Sequence, residues 1–347
     1  MGKNENSSSV SMKQIAEYTG LSQSTVSIVI NGQEKERHIS EETVEKIRDA
    51  VNKLGYKPNL YARRLRDKKQ KPIIAFFWPI TRRSSVLSPI LNGLQSELKR
   101  QKFDCELVIQ NYESNRLYKL SNIITKNNYT GIIIGASSVA DLEFIESLNT
   151  LTPIVIFNRR SKKYSTVRVD NSKIAGLAVE ALQRNNADRV AVFIPANPYI
   201  AAEKRIQSFL DLCYQANIYV DSTTVFHAED SIAGGADAAR RFLQLTDPPH
   251  YIFCESDQLA LGVLHALYEA GKKVPEAYKI LATGLMNPEF VEFSNPSLTT
   301  IDMQTTALAS AMMECLLEQI NNPTVKPVDR VMDVKLVYRK SFPETGR

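Results

Sequence analysis

The chain has 347 residues, 43% of them hydrophobic and 23% charged, which suits a soluble globular protein of two or three units rather than a disordered one. No apolar run reaches the ~18 residues that a membrane span needs, and the polar start MGKNENSSSV lacks the apolar stretch of a secretory signal. The net charge of +5 is confined. Residues 1–71 hold 14 of the 43 basic and 9 of the 38 acidic side chains, and the remainder balances at zero. A basic head on a neutral body points to a polyanion partner for the head alone, and no membrane partner is expected.

In chain order, residues 1–11 read as a disordered tail. Ser11 can cap a first helix with Ile15 and Ala16 inward, and Thr19-Gly20-Leu21 supplies a tight turn with glycine where a positive φ is easiest. Ser22 then caps a second helix whose Val26, Val29 and Ile30 face inward, ended by Asn31-Gly32. Two short helices around such a turn form a helix-turn-helix, in which the start of the second helix enters the major groove, here Gln23, Ser24 and Ser27. Ser40 can cap a third helix with Val44, Ile47, Val51 and Leu54 inward and Glu41 and Glu42 suiting its dipole. Gly55 stops it. Beyond Pro58, Asn59 can cap a short helix from Leu60 to Arg66, marginal alone, whose folding waits for DNA or a partner helix.

From Pro72 the pattern changes to alternating strands and helices. Apolar β-rich runs lie at Ile73–Trp78, Glu106–Gln110, Gly131–Gly135, Ile154–Asn158, Val190–Pro195, Tyr251–Glu255 and Ile280–Gly284. Amphipathic stretches such as Pro89–Lys102, Asn171–Asn185, Ala201–Ala216, Gln258–Ala270 and Met303–Ile320 separate them. This βαβ alternation predicts parallel sheets covered by helices, and the number of strands favours two lobes. Ligands of such sheets bind beyond the carboxyl ends of the strands. Trp78, Arg82, Arg83, Ser137, Ser138, Asn158 and Arg159 are the candidates at or after strand ends. Trp78 can stack on a sugar face or pack, the serines can bind or be solvated, and the arginines can fork onto hydroxyls, carboxylates or phosphates or form surface ion pairs. The four cysteines lie far apart in apolar patterns, as buried free thiols of a reducing compartment would, and no histidine has ligand spacing to another or to a cysteine, so no metal or cofactor is expected. There is no glycine-rich dinucleotide fingerprint, no phosphate-loop lysine and no nucleophile–base arrangement, so no catalytic residue is expected.

The stretches IAEYTGLSQSTVSIVIN (from Ile15), LGYKPN (Leu54–Asn59), ARRL (Ala62–Leu65) and SDQLALGVLHAL (Ser256–Leu267) resemble the lactose-repressor (LacI/GalR) family of transcription regulators over residues 12–342. The resemblance implies an all-α helix-turn-helix DNA-binding domain at 12–58, a hinge helix and linker at 59–71, and an α/β two-lobed core at 72–342 like the type I periplasmic binding proteins. The division expected for that core is 72–169 plus 299–325 for the N-lobe and 170–298 plus 326–342 for the C-lobe. It also implies a cytoplasmic homodimer, a repressor of carbohydrate-related genes, on a near-palindromic double-stranded operator, controlled by a small effector, a sugar or sugar derivative, in the interlobe cleft.

 The DNA contacts that the resemblance implies are Gln23, Ser24, Thr25, Ser27 and Asn31 with Tyr61, Arg63, Arg64 and Leu65, the leucine wedging into the central minor groove. The effector contacts are Trp78, Arg82, Ser137, Asn158, Arg205, Ser256, Asp257 and Met286, with Arg205 as the gripping arginine. The sequence departs from the family in four places, one of them near Ser231, where an aromatic that often caps the sugar is replaced. GQEKERH after Asn31 is longer than the usual turn, Ile28 stands where a basic residue usually reads guanine, and Met286 stands where an aspartate usually holds sugar hydroxyls. Two other classes compete: a transport-type solute receptor with the same core, against which the basic head speaks, and an enzyme on a doubly wound fold, against which the missing motifs speak.

Overall fold

The computed structural model describes residues 11–30, 34, 37–54, 71–80, 84–126 and 129–344. Three helices form the head: α1 (Met12–Thr19), α2 (Gln23–Ile30) and α3 (Glu41–Leu54). Each begins on the serine that the sequence offers. Ser11 and Gln14 form a reciprocal capping box, Ser22 Oγ accepts from Thr25 N at 3.1 Å, and Ser40 Oγ accepts from Thr43 N at 3.4 Å. Gly20 closes α1 with φ 67°, a left-handed conformation that a side chain would strain. Ile15, Ala16, Val26, Val29, Val44, Ile47 and Ala50 are buried together, with Val51 and Leu54 half-covered at the edge. The hinge helix expected at Leu60–Arg66, the helix ends at Asn31-Gly32 and Gly55, and the tail before Ser11 lie outside the described residues.

The core contains two six-stranded sheets. Its strands are β1 (Ile73–Pro79), β2 (Glu106–Tyr112), β3 (Gly131–Ile134), β4 (Ile154–Phe157), β5 (Ser165–Val169), β6 (Val190–Pro195), β7 (Val225–Ala228), β8 (Tyr251–Cys254), β9 (Lys279–Gly284), β10 (Thr299–Asp302), β11 (Asp329–Met332) and β12 (Lys335–Val337). The first sheet runs β11-β5-β4-β3-β1-β2 and is parallel throughout; the second runs β12-β10-β9-β8-β6-β7, with only β12 antiparallel. Central strands are buried on both faces, which is why they read as unbroken apolar runs such as Ile74–Trp78. Helices cover the sheets: α4 (Leu87–Arg100), α5 (Ser121–Lys126), α6 (Val139–Ser147), α7 (Asn171–Arg184), α8 (Ile200–Gln215), α9 (Ile232–Phe242), α10 (Asp257–Glu269), α11 (Pro288–Glu292) and α12 (Thr305–Asn321).

The division of the core differs from the one expected at two strands. Thr299–Asp302, expected in the N-lobe, pairs in parallel with β9 and belongs to the C-lobe sheet. Asp329–Met332, expected in the C-lobe, pairs in parallel with β5 and forms the edge of the N-lobe sheet. The chain crosses between lobes after Val169, Asp302 and Met332, so each returning segment lays one strand before it crosses again. Helix α12 packs on α4 and over β3, β4 and β5, which returns it to the N-lobe. Lys173 pairs with Asp333 at 2.5 Å and Gln304 Nε2 donates to the Asp333 carbonyl at 3.0 Å, which ties two of these crossings together.

All four cysteines are free thiols; Cys213, Cys254 and Cys315 are buried and Cys105 is half-buried. Burial pushes the Cys105 thiol up to about 11 and the Cys213 thiol up to about 12, so both stay protonated and unreactive near neutrality.

Candidate effector cleft and nucleic-acid interface

A cavity of about 500 Å³ opens where the carboxyl ends of the strands of the two sheets face each other. The N-lobe contributes Trp78 and Ile80 from the end of β1, Ala136 beyond β3, and Phe157, Asn158 and Arg159 from the end of β4. The C-lobe contributes Asn197 and Tyr199 beyond β6, and Glu229 and Asp230 beyond β7. Leu285, Met303 and Thr305 line it from the crossings. Asn158 holds a left-handed φ of 52°, which asparagine tolerates, and its Oδ1 accepts from Val169 N at 3.4 Å. Arg159 is held flat against the wall: its Nε donates to the Ser137 carbonyl at 2.8 Å and its Nη1 to the Asn158 carbonyl at 2.7 Å.

Of the effector candidates expected from the sequence, Trp78, Asn158 and Arg159 line this cavity. Arg82 and Arg83 lie outside the described residues. Ser137, Arg205, Ser256, Asp257 and Met286 are buried behind the wall instead, each for a physical reason. Ser137 is wholly covered, and its carbonyl serves Arg159. Ser256 caps α10, accepting from Leu259 N at 3.3 Å and donating to Asp230 at 3.2 Å. Asp257 accepts from the amides of Leu285 and Met286, both at 2.7 Å, and so clamps the turn after β9. Met286 is 7% exposed and its amide is used by that clamp.

Arg205 departs most from expectation. It is 1% exposed and ion-paired with the fully buried Glu255, whose Oε1 lies 3.1 Å from its Nε and also accepts from its Nη2. Nη1 donates to Asn171 at 3.1 Å and Nη2 to the Tyr199 hydroxyl at 3.0 Å. Burial alone would depress the guanidinium, but the Glu255 carboxylate outweighs it and holds the group above its ordinary range. The arginine therefore reaches the cavity through Tyr199, which it orients. Sequence reading missed Phe157, Tyr199, Glu229, Asp230 and Glu255. The run ending at Asn158 and the helix opening near Ala201 stood close to two of them, whereas β7, which presents Glu229 and Asp230, is a four-residue strand with no apolar run to announce it.

On the head, Gln23 and Ser24 are exposed at the start of α2, and Thr25 and Ser27 are half-buried beside them. Ser22 Oγ lies 2.7 Å from Ser24 Oγ and 2.8 Å from Thr25 Oγ1, which fixes the hydroxyls at the tip of this helix. Ile28 is half-buried and offers only apolar contact. Asn31, Tyr61, Arg63, Arg64 and Leu65 lie outside the described residues. Among the described residues no helix is long and apolar enough to cross a membrane, and no histidine, cysteine and carboxylate cluster could hold a metal.

A helix-turn-helix head joined to a two-lobed core with a cleft at the strand ends defines a ligand-responsive DNA-binding regulator. Residues 11–59 match the model of the bacterial regulatory proteins of the lacI family, and residues 179–342 match a periplasmic binding protein-like domain. The chain is 28% identical over 334 residues to the transcriptional repressor PurR of Mannheimia succiniciproducens, covering 95% of this chain and 98% of that protein. It is 31% identical to a crystal structure of a LacI family transcription regulator from Clostridium acetobutylicum, with a TM-score of 0.75, covering 78% of this chain and all of that one. A complex of the transcriptional regulator CelR with cellobiose shares the fold, at 21% identity and a TM-score of 0.67, over 96% of this chain and 99% of that one. The chain belongs to the LacI family, as a DNA-binding transcription regulator with an effector-binding core.

Proposed function

We propose that the protein is a cytoplasmic, homodimeric repressor of carbohydrate-related genes that binds a near-palindromic operator and is controlled by a sugar or sugar derivative. The observation that carries this reading is the cavity of about 500 Å³, of a size for one small ligand, with aromatic rings and polar side chains on both walls. Trp78, Phe157 and Tyr199 offer ring faces and edges, and Asn158, Asn197, Glu229 and Asp230 offer hydrogen bonds to hydroxyls. The related CelR holds cellobiose, which supports the same ligand class here. In the head, Gln23, Ser24, Thr25, Ser27 and Asn31 read the groove, and Arg63 and Arg64 neutralise phosphates while Tyr61 and Leu65 engage the operator centre. No catalytic role is assigned to any residue.

Effector binding would change the balance between lobe arrangements. Gln258 Nε2, at the start of α10 in the C-lobe, donates at 2.8 Å to Ser85 Oγ of the N-lobe, so the two walls already touch across the cleft. A ligand that binds one lobe arrangement better shifts the population able to hold two heads at operator spacing. The test is selection of bound sequences from random duplexes, followed by anisotropy titrations of the selected operator with and without a panel of sugars. Selection of a palindrome whose affinity some sugar alters is expected. Absence of any preferred sequence would refute the reading and favour a solute receptor.

A further inference from the structure

The face of α2 turned away from the head core carries no charge and one apolar side chain. The helix reads QSTVSIVI, with neither a basic nor an acidic residue. Val26 and Val29 are buried in the head core and Ile30 packs against it, whereas Ile28 belongs to neither set. With about 100° between successive residues, Ser24 and Ile28 each lie about 160° round the helix axis from Val26, on either side of the line that points away from the core. They stand one turn apart, so they are neighbours on that face. Ser24 is exposed and Ile28 half-buried. The Ser24 hydroxyl lies 2.7 Å from Ser22 Oγ, and Thr25 Oγ1 lies 2.8 Å from the same oxygen, so the hydroxyls at the helix start hold one another in place. An isoleucine on this face adds nothing to the head core, and its remaining apolar surface leaves water only against a partner.

We propose that Ile28 selects a thymine in each operator half-site by covering its C5-methyl group in the major groove. The assignment rests on the reading of α2 as the helix that enters that groove, and it adds the base that one residue of the helix chooses. In the major groove guanine and adenine present N7 as an acceptor, cytosine presents an amino donor, and thymine presents O4 beside a methyl group. An isoleucine side chain has nothing to donate or accept. Set against a purine N7 or a cytosine amino group it would displace water from a polar atom and return no hydrogen bond, which costs affinity. Set against the thymine methyl, apolar surface meets apolar surface and both leave water. Ser24, its neighbour on the same face, bonds to several bases alike, so the discrimination on this stripe falls to Ile28.

The experiment starts from an operator selected out of random duplexes by the full-length protein. Each thymine is then replaced, in both half-sites together, by deoxyuridine, which removes the methyl group and keeps every hydrogen-bonding atom. At one position the replacement is expected to weaken binding of the unaltered protein by about tenfold in anisotropy titrations, from about fourfold for each buried methyl group. Ile28→Ala should bind the selected operator more weakly and respond to the same replacement by less than about twofold, because the two changes remove one contact. Ile28→Val stays apolar and branched, and should keep most of the preference for thymine over uracil. Both variants should keep the melting temperature and the random-duplex affinity of the unaltered protein. The ratio between thymine and uracil operators belongs to the contact, and a purely structural role for Ile28 would not move it. If no thymine shows a dependence on its methyl group, or the same dependence persists in Ile28→Ala, the assignment is overturned and the protein's binding to DNA stands. If selection returns no preferred sequence, the reading of α2 as the groove-entering helix falls, and the thymine contact with it.

Discussion

The head and the core solve the problem of stability at different scales. Among its described residues the head buries seven apolar side chains, none larger than isoleucine, and each of its helices starts on a serine cap. The core buries two sheets from both faces and can afford charged groups in its interior, Arg205 and Glu255 among them. A small apolar core leaves little margin, so local hydrogen bonds carry a larger share of the head's stability. The head also carries all the net charge, and the core carries the cavity. Binding of DNA and binding of effector are therefore separable by mutation. Removing residues 1–71 is the most severe test of that separation: operator affinity should fall below detection in anisotropy titrations, while the remaining core melts cooperatively and still binds the effector. Operator binding by the truncated chain would break the comparison.

The buried ion pair comes next in size. Arg205→Ala or Glu255→Ala leaves the other charge uncompensated in the interior, at a cost of about 3–5 kcal/mol. Calorimetry should show the core transition falling sharply while the head still binds nonspecific DNA. The double variant should recover part of the loss, because neither charge is then stranded. If Arg205→Ala instead weakens only effector binding, with the core transition unmoved, the arginine touches ligand directly and its apparent role in orienting Tyr199 is wrong.

The same contrast explains what was legible in the sequence. In the head, Ser11, Gly20, Ser22 and Ser40 are punctuation with a local mechanism, and the structure uses each where it stands. In the core, strands buried on both faces announce themselves, whereas Ser165–Val169, Val225–Ala228 and Asp329–Met332 lie toward sheet edges, are short, and carry polar residues. Edge pairing is decided by the neighbouring strand, which no window of sequence contains. Trp78 and Asn158 were legible because they end strong strands. Glu229 and Asp230 follow a weak one. That Arg205 matters could be read, but not that Glu255, fifty residues on, would take up its charge.

Two hinge variants separate sequence-specific from electrostatic binding in the head. Leu65→Ala should weaken operator binding while leaving random-duplex binding and its salt slope nearly intact, since an apolar wedge acts only where base steps are unstacked. Arg63→Ala should weaken both and lower the slope by about one, through one fewer phosphate neutralised. Titrations of both variants on both DNAs across a salt series decide the matter. Equal losses on the two duplexes for Leu65→Ala would leave that residue as packing.

The smallest expected effect compares one chemistry in the two settings. Ser11 in the head and Ser138 in the core both form capping boxes, with Gln14 and Asp141 respectively. Alanine at either removes one cap, worth about 1 kcal/mol. In the head that loss is set against a small apolar core, so the head transition should drop by several degrees and operator affinity should weaken with it. In the core the box has further support: Asp141 also accepts from the amides of Asn115 and Leu117, both at 3.0 Å. Ser138→Ala leaves those bonds in place, and the same loss is spread over a larger cooperative unit, so the core transition should move by only a degree or two. Differential scanning calorimetry of both variants measures the two shifts side by side. Equal shifts would mean that head and core melt as one unit, and the separation drawn between them would fail.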